Sequence, residues 1–91
     1  NDQIYDLTFH DVRSRMIRTI VRLAEERGVK LGDGLLVDVR MTQRQIASFA
    51  GTTRESAAKV LQSLSEEGLV VIENKRIFLT DYEKLKELAG L

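Results

Sequence analysis

Cysteine is absent from these 91 residues, tryptophan is absent as well, and histidine occurs once, as His10. Without cysteine there is neither a disulfide framework nor a thiolate metal site, which fits a reducing, cytoplasmic setting. With a single histidine besides, no nucleophile–base set and no metal cluster can be assembled. Catalytic and metal-ligating residues are therefore expected to be none. The acidic pair Glu66-Glu67 falls at a helix end, where no concave site is implied. Long apolar runs are lacking too: none approaches the roughly 18 residues of a membrane span, and no signal peptide is visible. What remains is enough for one small domain with one modest core. Asn1 is not an initiator methionine, so the chain is expected to be a piece of something longer.

An excess of either charge is also missing. Fourteen basic and fourteen acidic side chains cancel, which by itself weighs against a nucleic-acid partner. The distribution says something different. Residues 1–39 carry six basic and seven acidic groups, and residues 63–91 carry four and six. Residues 40–62 carry Arg40, Arg44, Arg54 and Lys59 against Glu55 alone. Positive charge is concentrated in one stretch.

That stretch, with its flanks, runs from Met41 to Gly68 and reads as two helices around a tight turn. Thr42 followed by Gln45 is a capping-box pattern, in which each side chain satisfies an orphan backbone donor of the other. Ile46, Ala47, Phe49 and Ala50 supply an apolar face for a short helix, and Gly51 sits where a left-handed stop is needed. A second helix starts after Thr52 or Thr53 and runs to Gly68. At about 100° per residue from Arg54, Ala57, Val60, Leu61 and Leu64 share one arc, and Glu55, Lys59, Gln62 and Glu66 lie opposite it. Ser56 and Ala58 are small enough to let this helix approach a groove closely. A short helix, a glycine turn and a longer helix make a helix-turn-helix, whose second helix can enter the DNA major groove. An ordinary amphipathic surface helix would show the same periodicity.

The sequence Thr42-Gln-Arg-Gln-Ile-Ala, then Gly51-Thr-Thr-Arg-Glu-Ser, then Lys59-Val-Leu, Leu64 and Glu67-Gly-Leu resembles a known pattern. It is that of the C-terminal DNA-binding domain of the cyclic-AMP receptor protein / fumarate–nitrate regulator family of bacterial transcription regulators. The resemblance covers roughly residues 8 to 80, and its most specific part is Arg54-Glu55 with a basic residue four positions after Glu55. It implies a mainly α fold with a small β-hairpin: a winged helix-turn-helix with a three-helix core, a β wing and a short C-terminal helix. Residues 1–10 would be the end of a dimerisation helix and the hinge, and 11–91 the DNA-binding domain. It also implies a homodimer reading double-stranded DNA at a palindromic operator, and a missing N-terminal sensor domain for an unidentified effector. No cofactor is expected in this stretch, and RNA polymerase is a possible partner near Gly28–Gly34.

Side-chain chemistry then assigns roles. Arg54 can fork onto guanine O6 and N7, Glu55 can accept from cytosine N4, and Lys59 can reach a further guanine or a phosphate. Lys59 stands where family members usually carry arginine, and it gives up the bidentate fork. Thr42, Arg44, Thr53 and Ser56 lie near helix N-termini, where amides and dipole favour phosphate. If Thr52 were the cap, Glu55 would fold back as half of a capping box; the resemblance favours Thr53, which leaves Glu55 to the bases.

Elsewhere, Thr8 or Asp11 can cap a helix running to about Arg27, with Val12, Met16, Ile20 and Leu23 on its apolar side. Its arginines, 13, 15, 18 and 22, read as a solvated face, with Arg13 an alternative phosphate contact. Gly28 to Gly34 reads as a glycine-rich loop, without the Lys-Ser/Thr of a nucleotide-phosphate loop. Leu35 to Arg40 reads as a short strand. Leu69-Val-Val-Ile-Glu, the turn Asn74-Lys75 and Arg76-Ile-Phe-Leu-Thr form a hairpin. Lys75 and Arg76 at its tip are placed for phosphate, although Glu73 beside them opposes that contact. Asp81 begins a helix over Tyr82 to Ala89, and Thr80 with Glu83 is a further candidate capping box. Two rivals remain: a winged helix that binds protein, which should show exposed apolar residues, and a DNA-binding winged helix of another regulator family.

Overall fold

The computed structural model describes the backbone of residues 2–90 and the side chains of residues 11–90. Its elements are α1 (Asp2–Arg27), β1 (Gly28–Leu31), β2 (Gly34–Val37), α2 (Gln43–Ala50), α3 (Arg54–Glu66), β3 (Val70–Glu73), β4 (Arg76–Leu79) and α4 (Tyr82–Ala89). This is the mainly helical, winged helix-turn-helix architecture expected from the sequence.

Met16, Ile17, Ile20, Val21 and Ala24 recur at three- and four-residue steps and put one stripe of α1 into the core. The start of α1 differs from expectation. Neither Thr8 nor Asp11 caps it; the helix runs through both from Asp2, because residues 2–11 hold no glycine or proline to stop it. The side chains of Ile4, Leu7 and His10, expected to serve a dimerisation helix, a hinge and the surface, lie outside the described residues. The expected solvated face holds for Arg15, Arg18 and Arg22, which are exposed, while Arg13 is half-buried, and three of the four also reach neighbouring elements. Arg15 Nη1 donates to the Gly51 carbonyl (3.4 Å), Arg18 Nε donates to the Ala89 carbonyl (3.3 Å), and Arg13 reaches the far end of α3. These arginines fasten α1 to the turn of the helix-turn-helix, to α4 and to α3.

Helices α2 and α3 close the core with Ile46, Ala47, Ala50, Ala57, Val60, Leu61 and Leu64. Gly51, at φ 73° and ψ 39°, ends α2 and donates its N–H toward the Ala47 and Ser48 carbonyls. A Cβ there would meet nothing closer than Arg15 Nη1 at 3.9 Å, so substitution brings strain without a clash. Gly51→Ala is expected to lower stability by about 1–2 kcal/mol, the cost of a left-handed L-residue, and urea denaturation would measure it. Helix α4 packs Leu85 and Ala89 into the same core. Asp81 caps it by accepting from the Lys84 N–H (3.1 Å), in place of the Thr80–Glu83 box. Thr80 instead donates its hydroxyl to the Gly68 carbonyl, pinning the end of the wing to the end of α3.

The sheet is larger than the expected hairpin. Strands β3 and β4 form the wing, and a second hairpin, β1–β2, joins its other side to give the antiparallel order β1-β2-β4-β3. The presumed loop at Gly28–Gly34 is thus mostly strand, and the strand expected over 35–40 ends at Val37. Val70, Val37, Ile77 and Leu79 face the core. On the opposite face the register aligns Val29, Leu36, Phe78 and Val71 in one row. Gly34 is required beside that row, since a Cβ there would lie 2.5 Å from the Leu79 carbonyl oxygen, a backbone atom that cannot give way as the Phe78 ring, at 2.4 Å, could.

Candidate nucleic-acid interface

Thr42 is the N-cap of α2. Its Oγ accepts from the Gln45 N–H (3.1 Å), and its own N–H donates to Gln45 Oε1 (2.9 Å), a complete capping box. Thr53, not Thr52, caps α3, its Oγ accepting from the Ser56 N–H at 3.2 Å. Glu55 therefore lies in the first turn with no fold-back role, and its charge suits the helix dipole. The two caps leave the first amides of each helix, those of Gln43, Arg44, Arg54 and Glu55, outside the helical ladder. Thr53 accepts from an amide and keeps its hydroxyl proton to give elsewhere.

Around α3 the division into faces is complete. Ala57, Val60, Leu61 and Leu64 are buried, whereas Arg54, Glu55, Lys59, Gln62 and Glu66 are exposed. Ser56 and Ala58 are half-buried. The three expected base-reading side chains, Arg54, Glu55 and Lys59, thus share the outer face of one helix, over its first two turns.

The wing approaches from the side. Asn74 and Lys75 both have positive φ, 54° and 62°, as a two-residue type I′ turn requires. The Met41 N–H donates to the Lys75 carbonyl at 2.8 Å, tying the wing turn to the chain entering α2. An open groove results, lined by Met41, Thr42, Gln43, Arg44, Arg54, Ile72 and Lys75. Four of the expected site residues, Thr42, Arg44, Arg54 and Lys75, meet there with three positive charges and no acidic neighbour in the lining. Five expected residues lie outside that lining. Thr53, Glu55, Ser56 and Lys59 belong to the cap and first two turns of α3, and Arg76 turns to the outer sheet face, where its Nη1 lies 3.7 Å from Asp38 Oδ1 and its Nε is buried without a partner. Glu73 pairs in register with Arg76 and alternates with groove-lining Ile72, so its carboxylate points away from the groove.

Met41, Gln43 and Ile72 belong to the groove and escaped the sequence reading. Ile72 could have been found from alternation with core-facing Val70; Gln43 and Met41 carry no local signal.

The groove is open on one side and lined by cations, and no group of metal-ligating side chains occurs among the described residues. Such a surface can bind a polyanion over a broad area and has no enclosed chamber for a small molecule.

The sequence pattern of the Crp-like helix-turn-helix domain matches residues 14–88. The chain is 33% identical over 89 residues to the CRP-like cAMP-activated global transcriptional regulator of Mycobacterium tuberculosis, covering 98% of this chain and 40% of that protein. It is 31% identical over 85 residues to the Anaerobic regulatory protein of Bacillus subtilis, covering 92% and 36% respectively. Among solved structures, the CO-dependent transcription factor CooA from Carboxydothermus hydrogenoformans matches with a TM-score of 0.83 at 29% identity, over 94% of this chain and 40% of CooA. The chain spans about two fifths of the length of these relatives.

Proposed function

The chain belongs to the Crp-like helix-turn-helix family of transcription regulators, and from that premise we propose that it reads a palindromic operator in double-stranded DNA. Helix α3 enters the major groove, with Arg54 on a guanine, Glu55 on the adjoining cytosine and Lys59 on a further guanine or a phosphate. Thr42, Arg44, Thr53, Ser56 and Lys75 take phosphates and set the register, which carries no sequence information of its own. The observation that carries this reading is the groove in which Arg44, Arg54 and Lys75 converge from α2, α3 and the wing. Arg76, expected at the tip, lies instead beside Asp38 on the other sheet face, so it is a weaker candidate for phosphate than Lys75.

The whole protein works as a cytoplasmic homodimer with half-sites about one helical turn apart, residues 1–10 joining this domain to a sensor that binds an effector. A second surface suits a protein partner. Val29 and Leu31, 49% and 56% exposed, lie with Val71 on the sheet face away from the groove. The contact with RNA polymerase that the resemblance implies near Gly28–Gly34 falls on that hairpin, so docking of protein and of DNA need not compete.

The test is fluorescence anisotropy with a labelled palindromic duplex carrying guanine- and cytosine-containing half-sites, beside a scrambled duplex, at several salt concentrations. Preference for the palindrome supports the reading; absence of any salt-sensitive binding overturns it. Lys75→Ala should weaken binding to both duplexes equally and reduce the salt slope by about 1, as loss of one phosphate contact requires.

A further inference from the structure

Helix α3 is fastened at its C-terminal end by one arginine of α1. Arg13 donates from Nη1 to Ser63 Oγ (3.1 Å) and from Nη2 to Glu67 Oε1 (3.0 Å), with Nη2 also 2.8 Å from Glu67 Oε2. The Ser63 hydroxyl in turn donates to Glu67 Oε2 at 3.2 Å, closing a triangle. The Arg13 side chain is only 18% exposed. A planar fork held by a hydroxyl and a carboxylate fixes orientation as well as distance.

The remaining α1–α3 packing is aliphatic: Met16, Ile17 and Ile20 share a core with Ala57, Val60, Leu61 and Leu64. Aliphatic contacts resist separation but carry no directional bond that selects one tilt. The triangle supplies what they lack. Arg54 lies thirteen residues before Glu67, about 20 Å along the axis, so a 10° tilt about the fastened end moves it by about 3.5 Å. Functional side chains must be held within about 0.5 Å of their productive geometry. The base-reading end of α3 is thus sensitive to what happens at Arg13.

We propose that Arg13 is a positioning residue for DNA reading: through Ser63 and Glu67 it sets the tilt of α3 on α1, and it passes any rotation of α1 to Arg54 and Glu55. The inference rests on the DNA-reading function above. Its structural support is that α1 runs unbroken from Asp2 through Arg13, so movement at its N-terminal end reaches the triangle along one rigid element. Arg13 is thereby withdrawn from the phosphate contact that its place in the sequence allowed.

The test uses the 91-residue chain with Arg13→Met, which keeps the aliphatic stem, and Glu67→Gln, which keeps the size and removes the charge. Binding to the palindromic and scrambled duplexes is measured well below the melting temperature, and amide residual dipolar couplings report the α1–α3 angle. Both variants should bind the scrambled duplex within about twofold of wild type and lose about tenfold on the palindrome, the equivalent of one bidentate base contact. Their α3 couplings should no longer fit the wild-type orientation. Unchanged palindrome preference with an unchanged α1–α3 angle overturns the role of Arg13. So does an equal loss on both duplexes, which marks a purely structural residue. If Arg13→Met fails to melt cooperatively, Glu67→Gln decides alone. A wild-type chain with no palindrome preference leaves Arg13 nothing to position and overturns this inference before any variant is compared, whereas absence of any salt-sensitive binding overturns the DNA-binding function itself.

Discussion

Arg54→Ala should lower affinity for the palindromic duplex about 5- to 150-fold while costing the scrambled duplex much less, because a bidentate arginine–guanine pair is worth about 1–3 kcal/mol of discrimination. Glu55→Ala should behave differently. Removing a carboxylate from a surface that faces phosphates relieves repulsion, so binding to the scrambled duplex should rise slightly even as the palindrome preference falls. The two variants thus separate base reading from charge. If Glu55 served only the helix dipole, its loss would cost about 0.3–1 kcal/mol of stability and leave the preference intact. If Arg54 served only as a cation in the groove beside Arg44 and Lys75, its loss would weaken both duplexes equally. Anisotropy titrations on both duplexes, with circular dichroism to confirm folding, give the outcome. Equal effects on the two duplexes in both variants would remove α3 as the reading element.

Much of this surface is legible in the sequence because its signals are local. The Thr42–Gln45 box, the left-handed Gly51 and the polar face of α3 are each specified by residues within one or two turns of one another. The choice between Thr52 and Thr53 as cap is not local. The two hydroxyls are chemically alike, and the sequence around them does not choose between them. The groove is less legible still. It depends on a backbone bond from Met41 to Lys75, 34 positions apart, which leaves no side-chain signature. Arg76 looked equivalent to Lys75 in sequence, but strand alternation sends it to the other sheet face and to Asp38.

The fold shows the same division. Helix periods and the Asn74-Lys75 turn identify the helices and the wing, while β1 is only four residues long, begins with glycine and is recognisable only through its partner β2. The arginines of α1 are the instructive case. On a helical wheel they lie opposite the apolar stripe and read as solvated, yet α3, the helix-turn-helix turn and α4 come round to meet three of them. A wheel describes one helix and cannot show which neighbours wrap it.

Leu64→Ala and Phe49→Ala turn that distinction into a stability measurement. Both are large apolar residues on amphipathic helices, and the sequence assigns both to core faces. Leu64 is 0% exposed, at the middle of the buried arc of α3. Phe49 is 68% exposed. At about 100° per residue it lies some 105° from the centre of the arc formed by Ile46, Ala47 and Ala50, beyond the edge of the core. Truncating Leu64 leaves a cavity in packed surroundings and should cost about 2–5 kcal/mol. A chain of this size has roughly 5–14 kcal/mol to lose, so the midpoint of urea unfolding should fall steeply, with the palindrome preference retained as long as the chain is folded. Truncating Phe49 should change stability by no more than about 0.5 kcal/mol, as expected for an exposed site. A large loss for Phe49→Ala would place its ring against a surface of this chain that the present packing does not provide. A small loss for Leu64→Ala would mean that α3 is held chiefly by Arg13 and its polar triangle, with the aliphatic face secondary.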